Sequence, residues 1–249
     1  MKKPYTLVST VATVLLLFAT LFFSISLVIS RPAFFEKEYT KLGNAQAMGM
    51  SVEDLTAATA QMVAYMDGSA QSIDLEVTVN GERVSMFNDR ERAHMVDVRA
   101  LYQGIQKVAI AALVISGIAI LGLRMLSRKK KEVIQQQYLG VFWGSGACFM
   151  LILAFGLWVL VDFNSFWTAF HHLFFTNDLW LLDPATSRMI NMMPWELFYD
   201  IVVHSGLCFL IIWAMLFFAS LVQYKRGCKE EKAALEKAGD QQGHAGGKA

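Results

Sequence analysis

Residues 6–30 read TLVSTVATVLLLFATLFFSISLVIS, 25 positions without a charged side chain. An α-helix rises about 1.5 Å per residue, so roughly 20 apolar residues cross the ~30 Å hydrocarbon core of a bilayer. The run is long enough to do so. Its apolar core also exceeds the roughly 7–15 residues of a signal-peptide core. The ISRPAFF that follows lacks a small-x-small cleavage site, so the segment reads as a retained anchor. Three more stretches read the same way, at 105–126, 138–161 and 201–222. Composition agrees, with 55% apolar and 17% charged residues in 249, against about 45–50% and 25% in soluble domains. A net charge of +1 leaves no electrostatic footprint for nucleic acid. The fold class predicted is a mainly α, polytopic membrane protein with four transmembrane helices.

The flanks orient the spans. The N-terminus, residues 124–137 and the tail from Gln223 together hold 13 Lys and Arg against 5 Asp and Glu. Residues 31–107 with 162–200 hold 9 against 16. Lys2, Lys3, RMLSRKKK after the second span and YKRGCKEEK after the fourth form a positive-inside pattern, which places both termini in the cytoplasm. The predicted order is residues 1–30 as N-terminus and first span, 31–104 as an extracellular domain, and 105–126 as the second span. A basic loop follows at 127–137, then the third span at 138–161, an extracellular interfacial loop at 162–200, the fourth span at 201–222 and a tail at 223–249. Cys148, Cys208 and Cys228 fall in the third span, the fourth span and the tail. The exterior segments thus contain no cysteine, which removes disulfide-stapled receptors and thiol oxidases.

The first exterior segment is predicted to be a small α/β-hairpin unit. Ser51 and Asp54 resemble a capping box, and Val52, Leu55, Met62, Val63 and Met66 recur at helical spacing up to Asp67-Gly68. Then Leu75, Val77 and Val79 alternate with polar residues, Asn80-Gly81 predicts a type I′ turn, and Val84 and Met86 alternate on the return. This register pairs Val77 with Val84 and Leu75 with Met86. Next comes FNDRERAHMVDVRALY, residues 87–102, in which a helix places Glu91, His94 and Asp97 along one face. A charged juncture before a membrane helix is ordinarily a solvated face, although a carboxylate one turn away also orients an imidazole.

The second exterior segment is too aromatic for a solvated loop. Phe163, Phe166, Trp167, Phe170, Phe174, Phe175 and Trp180 suit the water–lipid boundary, and short interfacial helices are expected there. His171, His172, Asn177, Asp178 and Asp183 are interleaved with them. With His94, and His204 about one turn into the fourth span, four of the five histidines lie near the outer face; His244 is in the polar tail. Metal binding is not expected, since there is no HExxH and no tight His/carboxylate spacing. Nucleophilic catalysis lacks a GxSxG elbow. Any chemistry would run on histidine.

FHHLFFTNDLWLLDP, residues 170–184, together with FNDRERAHMVDVRALY, resembles the paired signatures of the lipoprotein intramolecular transacylase family. The order of spans, the hairpin and the basic loop are similar too, and the resemblance runs from Lys2 to about Tyr224. One departure is that Trp195 separates Pro194 from Glu196, where the family usually shows a Pro-Glu pair. That family, found in some Gram-positive bacteria, acts at the outer face of the cell membrane. The resemblance implies an acyltransferase that moves an acyl chain, expected to be the sn-2 chain, from the S-diacylglyceryl group of a lipoprotein to the α-amine of its N-terminal cysteine. The product is N-acyl S-monoacylglyceryl lyso-lipoprotein. It further implies a histidine dyad of His94 and His171, with His172, at a variable position of the pattern, as second choice; Glu91, Asp97 and Asp178 are expected to orient or charge-balance the pair. No cofactor is implied, and the partners are diacylglyceryl-modified lipoproteins and membrane lipid. The competing expectation is a four-span scaffold that binds through its exterior domain, in which His94 and His171 would stand apart and solvated.

Overall fold

The computed structural model describes residues 4–127 and 132–246. Lys2, Lys3, the basic run at 128–131 and the side chains of Cys228 and His244 lie outside the described residues. In chain order the elements are α1 (Pro4–Ile29), α2 (Pro32–Leu42), α3 (Asn44–Ala47), α4 (Val52–Asp67), β1 (Glu76–Val79) and β2 (Glu82–Ser85). They are followed by α5 (Asp89–Ser127), α6 (Glu132–Val161), α7 (Phe163–Phe174), α8 (Arg188–Met192) and α9 (Trp195–Gly246). Among the described residues, α1, α5, α6 and α9 are the four helices long and apolar enough to cross a membrane. At 39 residues, α5 is about 58 Å long, nearly twice the ~30 Å core. Its charge-free stretch lies between Lys107 and Arg124, so the turns before Lys107, His94 among them, precede the membrane-spanning part.

The contacts group into two compact units, one of residues 21–110 and 153–209, the other of residues up to 20, 111–152 and from 210 onward. In the first, the segment after α1 forms three helices where periodicity revealed one. Pro32 supplies a preset φ at the start of α2, and Gly43, at φ +71°, ends it in the left-handed region. Ser51 caps α4 by accepting from the Asp54 amide at 2.9 Å. The Asp54 carboxylate turns to the hairpin instead, accepting from the Thr78 amide at 3.4 Å.

The core of this unit packs Phe35 and Tyr39 of α2 against Leu55, Ala58 and Met62 of α4, with Val77, Met86 and Phe87 closing one side. Each such side chain contributes about 1.5–3 kcal/mol by leaving water. Tyr39 is fully buried, and burial pushes its phenol up to about 12. Because the Thr59 hydroxyl donates to the Leu55 carbonyl, the Tyr39 hydroxyl donates to Thr59 Oγ1 at 2.6 Å. In the hairpin Val77 pairs with Val84, and the Met86 amide donates to the Leu75 carbonyl. Asn80 and Gly81 both have positive φ, +51° and +87°, as a type I′ turn requires. The turn rests on Gly49, whose carbonyl accepts from the Asn80 amide at 2.8 Å. A Cβ at Gly49 would lie 2.2 Å from Asn80 Oδ1.

In the second unit, α6 lies against α1 through small residues. A Cβ at Gly140 would fall 2.4 Å from Ser9 Cβ and 2.7 Å from the Thr6 carbonyl oxygen, and one at Gly144 2.8 Å from Thr13 Cβ. The Ser9 hydroxyl donates across to the Gln137 carbonyl at 2.8 Å. This is a small-xxx-small seam, which lets two helix backbones approach where lipid offers no hydrophobic drive. Gly140→Ala should therefore cost stability, by about 1–3 kcal/mol as overpacking does. Gly146→Ala, with nothing within 4 Å of the new methyl, should be neutral or slightly stabilising. Thermal unfolding of the two variants in detergent checks this; equal midpoints would refute the seam.

Candidate active site

His94 sits in the second turn of α5, and that turn is fixed by an unusually well-bonded helix start. Asn88 Oδ1 accepts from the Glu91 amide at 3.0 Å, and Glu91 Oε2 accepts from the Asn88 amide at 2.7 Å. This reciprocal pair is a capping box. The other carboxylate oxygen of Glu91 accepts from the Ser187 hydroxyl at 2.5 Å and the Met189 amide at 2.8 Å. Glu91, 1% exposed, thus ties the start of α5 to the start of α8. From the other side Arg92 donates to Asp74, Asp89 and Ser85 Oγ at 2.6–2.9 Å, holding the hairpin to the same turn.

His171 lies in the last turns of α7, a helix capped by Asp162, which accepts from the Ser165 amide at 2.9 Å. Its Nδ1 is 2.7 Å from the Trp167 carbonyl oxygen. A carbonyl only accepts, so Nδ1 carries the proton and the neutral ring presents its lone pair on Nε2. Aromatic rings enclose it, with Trp167 at 4.4 Å, Trp180 stacked at 4.7 Å, and Phe170 and Phe175 at 5.4 and 5.5 Å between centroids.

The two histidines meet. Their ring centroids are 6.1 Å apart, and Phe175 touches both, at 5.3 Å from His94. Exposure is 7% for His94 and 3% for His171. Burial drives both pKa values down, that of His94 to about 4. The neighbouring His171 adds to the effect at His94, and Asp97 opposes it. At His171 the bond to Trp167 opposes burial. Both rings are therefore uncharged at neutral pH, a state suited to accepting a proton.

The other residues singled out from sequence take different places. Asp97 accepts from Asn177 Nδ2 at 2.8 Å, and the Asp178 carbonyl accepts from Arg90, so both pin the loop after α7 to α5. Glu91 spends its bonds on backbone and Ser187 rather than on an imidazole. His172 is exposed and stands edge-on to Trp180 at 5.2 Å. His204 donates from Nδ1 to the Asp200 carbonyl and touches Phe34, away from the pair. Sequence reasoning missed Trp180 as part of the site. It is 8% exposed, and its indole Nε1 is buried without a hydrogen-bond partner, as is Nδ1 of His94. Read alone, Trp180 has the signature of an interfacial anchor. The Asn88-x-x-Glu91 spacing, by contrast, was a usable signal for the helix start. No three His, Cys, Asp or Glu among the described residues converge as metal ligands would.

The family model described as lipoprotein intramolecular transacylase Lit matches residues 10–198. No curated protein gives a significant match. Among solved structures, the membrane integral lipoprotein intramolecular transacylase Lit from Bacillus cereus is similar over 94% of this chain and 100% of its own, with TM-score 0.65 at 19% identity. Two forms of the same protein, with a histidine replaced by arginine or by alanine, give TM-scores of 0.62 and 0.63 at 19% and 18% identity. They match over 93% and 92% of this chain and 94% and 96% of theirs. At that identity the structures speak for a shared fold, and the family match covers most of the sequence: the chain belongs to the lipoprotein intramolecular transacylase family.

Proposed function

We propose that this chain carries an acyl chain, the sn-2 chain, from the S-diacylglyceryl group of a lipoprotein to the α-amine of its N-terminal cysteine. The site would act at the outer face of a Gram-positive cell membrane, with both chain termini cytoplasmic. The observation that supports it most is the convergence of His94 and His171, buried and uncharged, with Phe175 against both and Trp167, Phe170 and Trp180 around His171. A scaffold has no use for that arrangement.

The substrate brings both reactants, so neither an enzyme nucleophile nor a cofactor is needed. The amine nitrogen attacks the ester carbonyl; a C–N bond forms, the C–O bond to glycerol breaks, and the amine proton ends on the glyceryl oxygen. One imidazole accepts that proton at its free ring nitrogen as attack begins and returns it to the leaving glyceryl oxygen, and the other donates an N–H to the tetrahedral oxyanion. We assign His171 as base, since its Nδ1–H is committed to the Trp167 carbonyl and only the Nε2 lone pair is free, and His94, whose buried Nδ1 has no protein partner, as the group that donates to the oxyanion. His94 Nδ1 and Trp180 Nε1, both without partners, are polar atoms the substrate can satisfy. Holding amine and ester in one molecule supplies much of the rate by proximity. The rings of Trp167, Phe170, Phe175 and Trp180 keep water from hydrolysing the ester. Asp97 and Asp178 hold the loop that carries Trp180, Glu91 sets the turn bearing His94, and His172 lines the rim.

Mass spectrometry with fragmentation of one reporter lipoprotein's N-terminal peptide tests this directly. Cells containing the chain should convert S-diacylglyceryl peptide with a free amine into its N-acyl S-monoacylglyceryl isomer at unchanged mass. His94→Asn and His171→Ala should each lower conversion by at least about 100-fold, as loss of acid–base catalysis does. Unchanged conversion in both variants would discard the dyad.

The lowered histidine pKa values also shape the pH profile. A histidine of ordinary pKa would protonate below about 6.5 and add its own loss to that of the substrate amine, whose pKa is about 7.7–8. Here His94 stays neutral down to about pH 4, and burial holds His171 below its ordinary value as well. The logarithm of the transfer rate should therefore keep a slope near one through the ordinary histidine range around pH 6.5. A slope near two, measured in proteoliposomes, would show that an ordinary histidine titrates.

A further inference from the structure

A second feature of the chain lies wholly outside the histidine site. In the unit that contains the end of α5 and the start of α6, a cavity of about 220 Å³ opens among α1, α5, α6 and α9. Its wall changes character in one direction along three helices. On α5 Ile120 precedes Arg124 by one turn; on α1 Leu16 and Leu17 follow Ser9 and Thr13; on α9 Phe217 precedes Gln223. These three helices pass between an apolar floor and a polar mouth on the side of the basic segments of the sequence, while α6 adds Gln137 near the mouth and both Val141 and Ser145 deeper. Tyr138 and Tyr224 stack at 4.3 Å along the wall.

Arg124 is the cation of that mouth. It is exposed, and among the described residues it forms no ion pair. The C-terminal end of a helix favours a basic residue, which accounts for an arginine there but not for the amphipathic hollow beside it. A guanidinium presents a planar fork of donors that matches a phosphate, and side-chain amides of Gln137 and Gln223 stand within the same lining. Lys225 and Arg226, exposed just beyond Gln223 on α9, add positive charge without lining the cavity. A ligand that satisfies all of this has a phosphate for the mouth, an acyl chain for the floor and a net negative charge.

We propose that this cavity is a binding site for an anionic phospholipid of the leaflet that faces the basic loop, the cytoplasmic leaflet in the orientation given above. The phosphate sits on Arg124 and one acyl chain lies along Ile120, Val141 and Phe217. No residue of the histidine site takes part, so the proposal stands or falls independently of the acyl-transfer reading.

The test uses the full chain, purified in detergent, stripped of lipid, and followed by native mass spectrometry. It is titrated with phosphatidylglycerol, with phosphatidylcholine of the same acyl chains, and with inorganic phosphate alone. One phosphatidylglycerol should be retained in preference to phosphatidylcholine. R124A should weaken its retention about fivefold, as loss of one basic residue near a lipid surface does, and leave phosphatidylcholine unchanged. R226A, at a flanking cation, should have a smaller effect, and V141W, which fills the floor, should reduce retention of both lipids. Thermal midpoints confirm that each variant is folded, and R124Q replaces R124A if that variant unfolds. Equal retention of the two lipids, equal effects of R124A and R226A, or no effect of V141W would overturn the proposal. So would Arg124-dependent binding of inorganic phosphate with no preference for the lipid.

Discussion

The carboxylate of Glu91 receives three protein donors in a place sealed from water: the Asn88 amide, the Ser187 hydroxyl and the Met189 amide. A buried charge is costly unless hydrogen bonds replace its hydration, and here they do so by drawing together segments almost a hundred residues apart. One oxygen completes the first turn of α5 and the other holds the approach to α8. His94 is the next turn of α5, and the loop carrying Trp180 is spanned between α7 and α8. Together with the Asn177–Asp97 and Arg90–Asp178 bonds, this group sets the separation of His94 from the rings around His171. Loss of it would leave buried donors unmet, each at a cost of about 1–3 kcal/mol.

The cage around His171 uses the cost of burial constructively. An imidazolium among Trp167, Phe170, Phe175 and Trp180 would lack hydration, so the neutral ring is favoured. Two neutral rings also avoid the repulsion that two charged ones would feel. Hydrophobic enclosure thus sets the protonation state and excludes water at the same time.

Much of the architecture was legible in the sequence because it follows from short-range rules. Charge-free runs of the necessary length mark the spans, and a two-residue turn with alternating neighbours fixes the pairing of Val77 with Val84. The division of the first exterior segment was harder to read, because α2 has mixed polarity and its limits rest on Pro32 and Gly43 rather than on periodicity. Within the site, His94 and His171 were reached through motifs. Glu91 illustrates why supporting roles were less accessible: the i, i+3 spacing to His94 suggests a partner for the imidazole, but the carboxylate is taken by the helix start and by Ser187. Trp180 was hidden for a different reason. Its place against His171 is a long-range packing outcome, and an interfacial tryptophan looks the same in sequence whether it faces lipid or an imidazole.

The bond from His171 Nδ1 to the Trp167 carbonyl makes the imidazole asymmetric in time as well as in space. A ring with both nitrogens free can take a proton on one side and release it on the other, as a relay does. His171 has one of its two nitrogens committed to the backbone of its own helix, so any proton it takes up at Nε2 leaves from Nε2. For a transfer in which a hydrogen departs from an amine and arrives on an alkoxide, donor and recipient must then visit the same edge of the ring in turn. In the proposed transfer the hydrogen would be carried over within the complex rather than exchanged through it, and the path of the acyl group and the path of the proton would become a single short excursion.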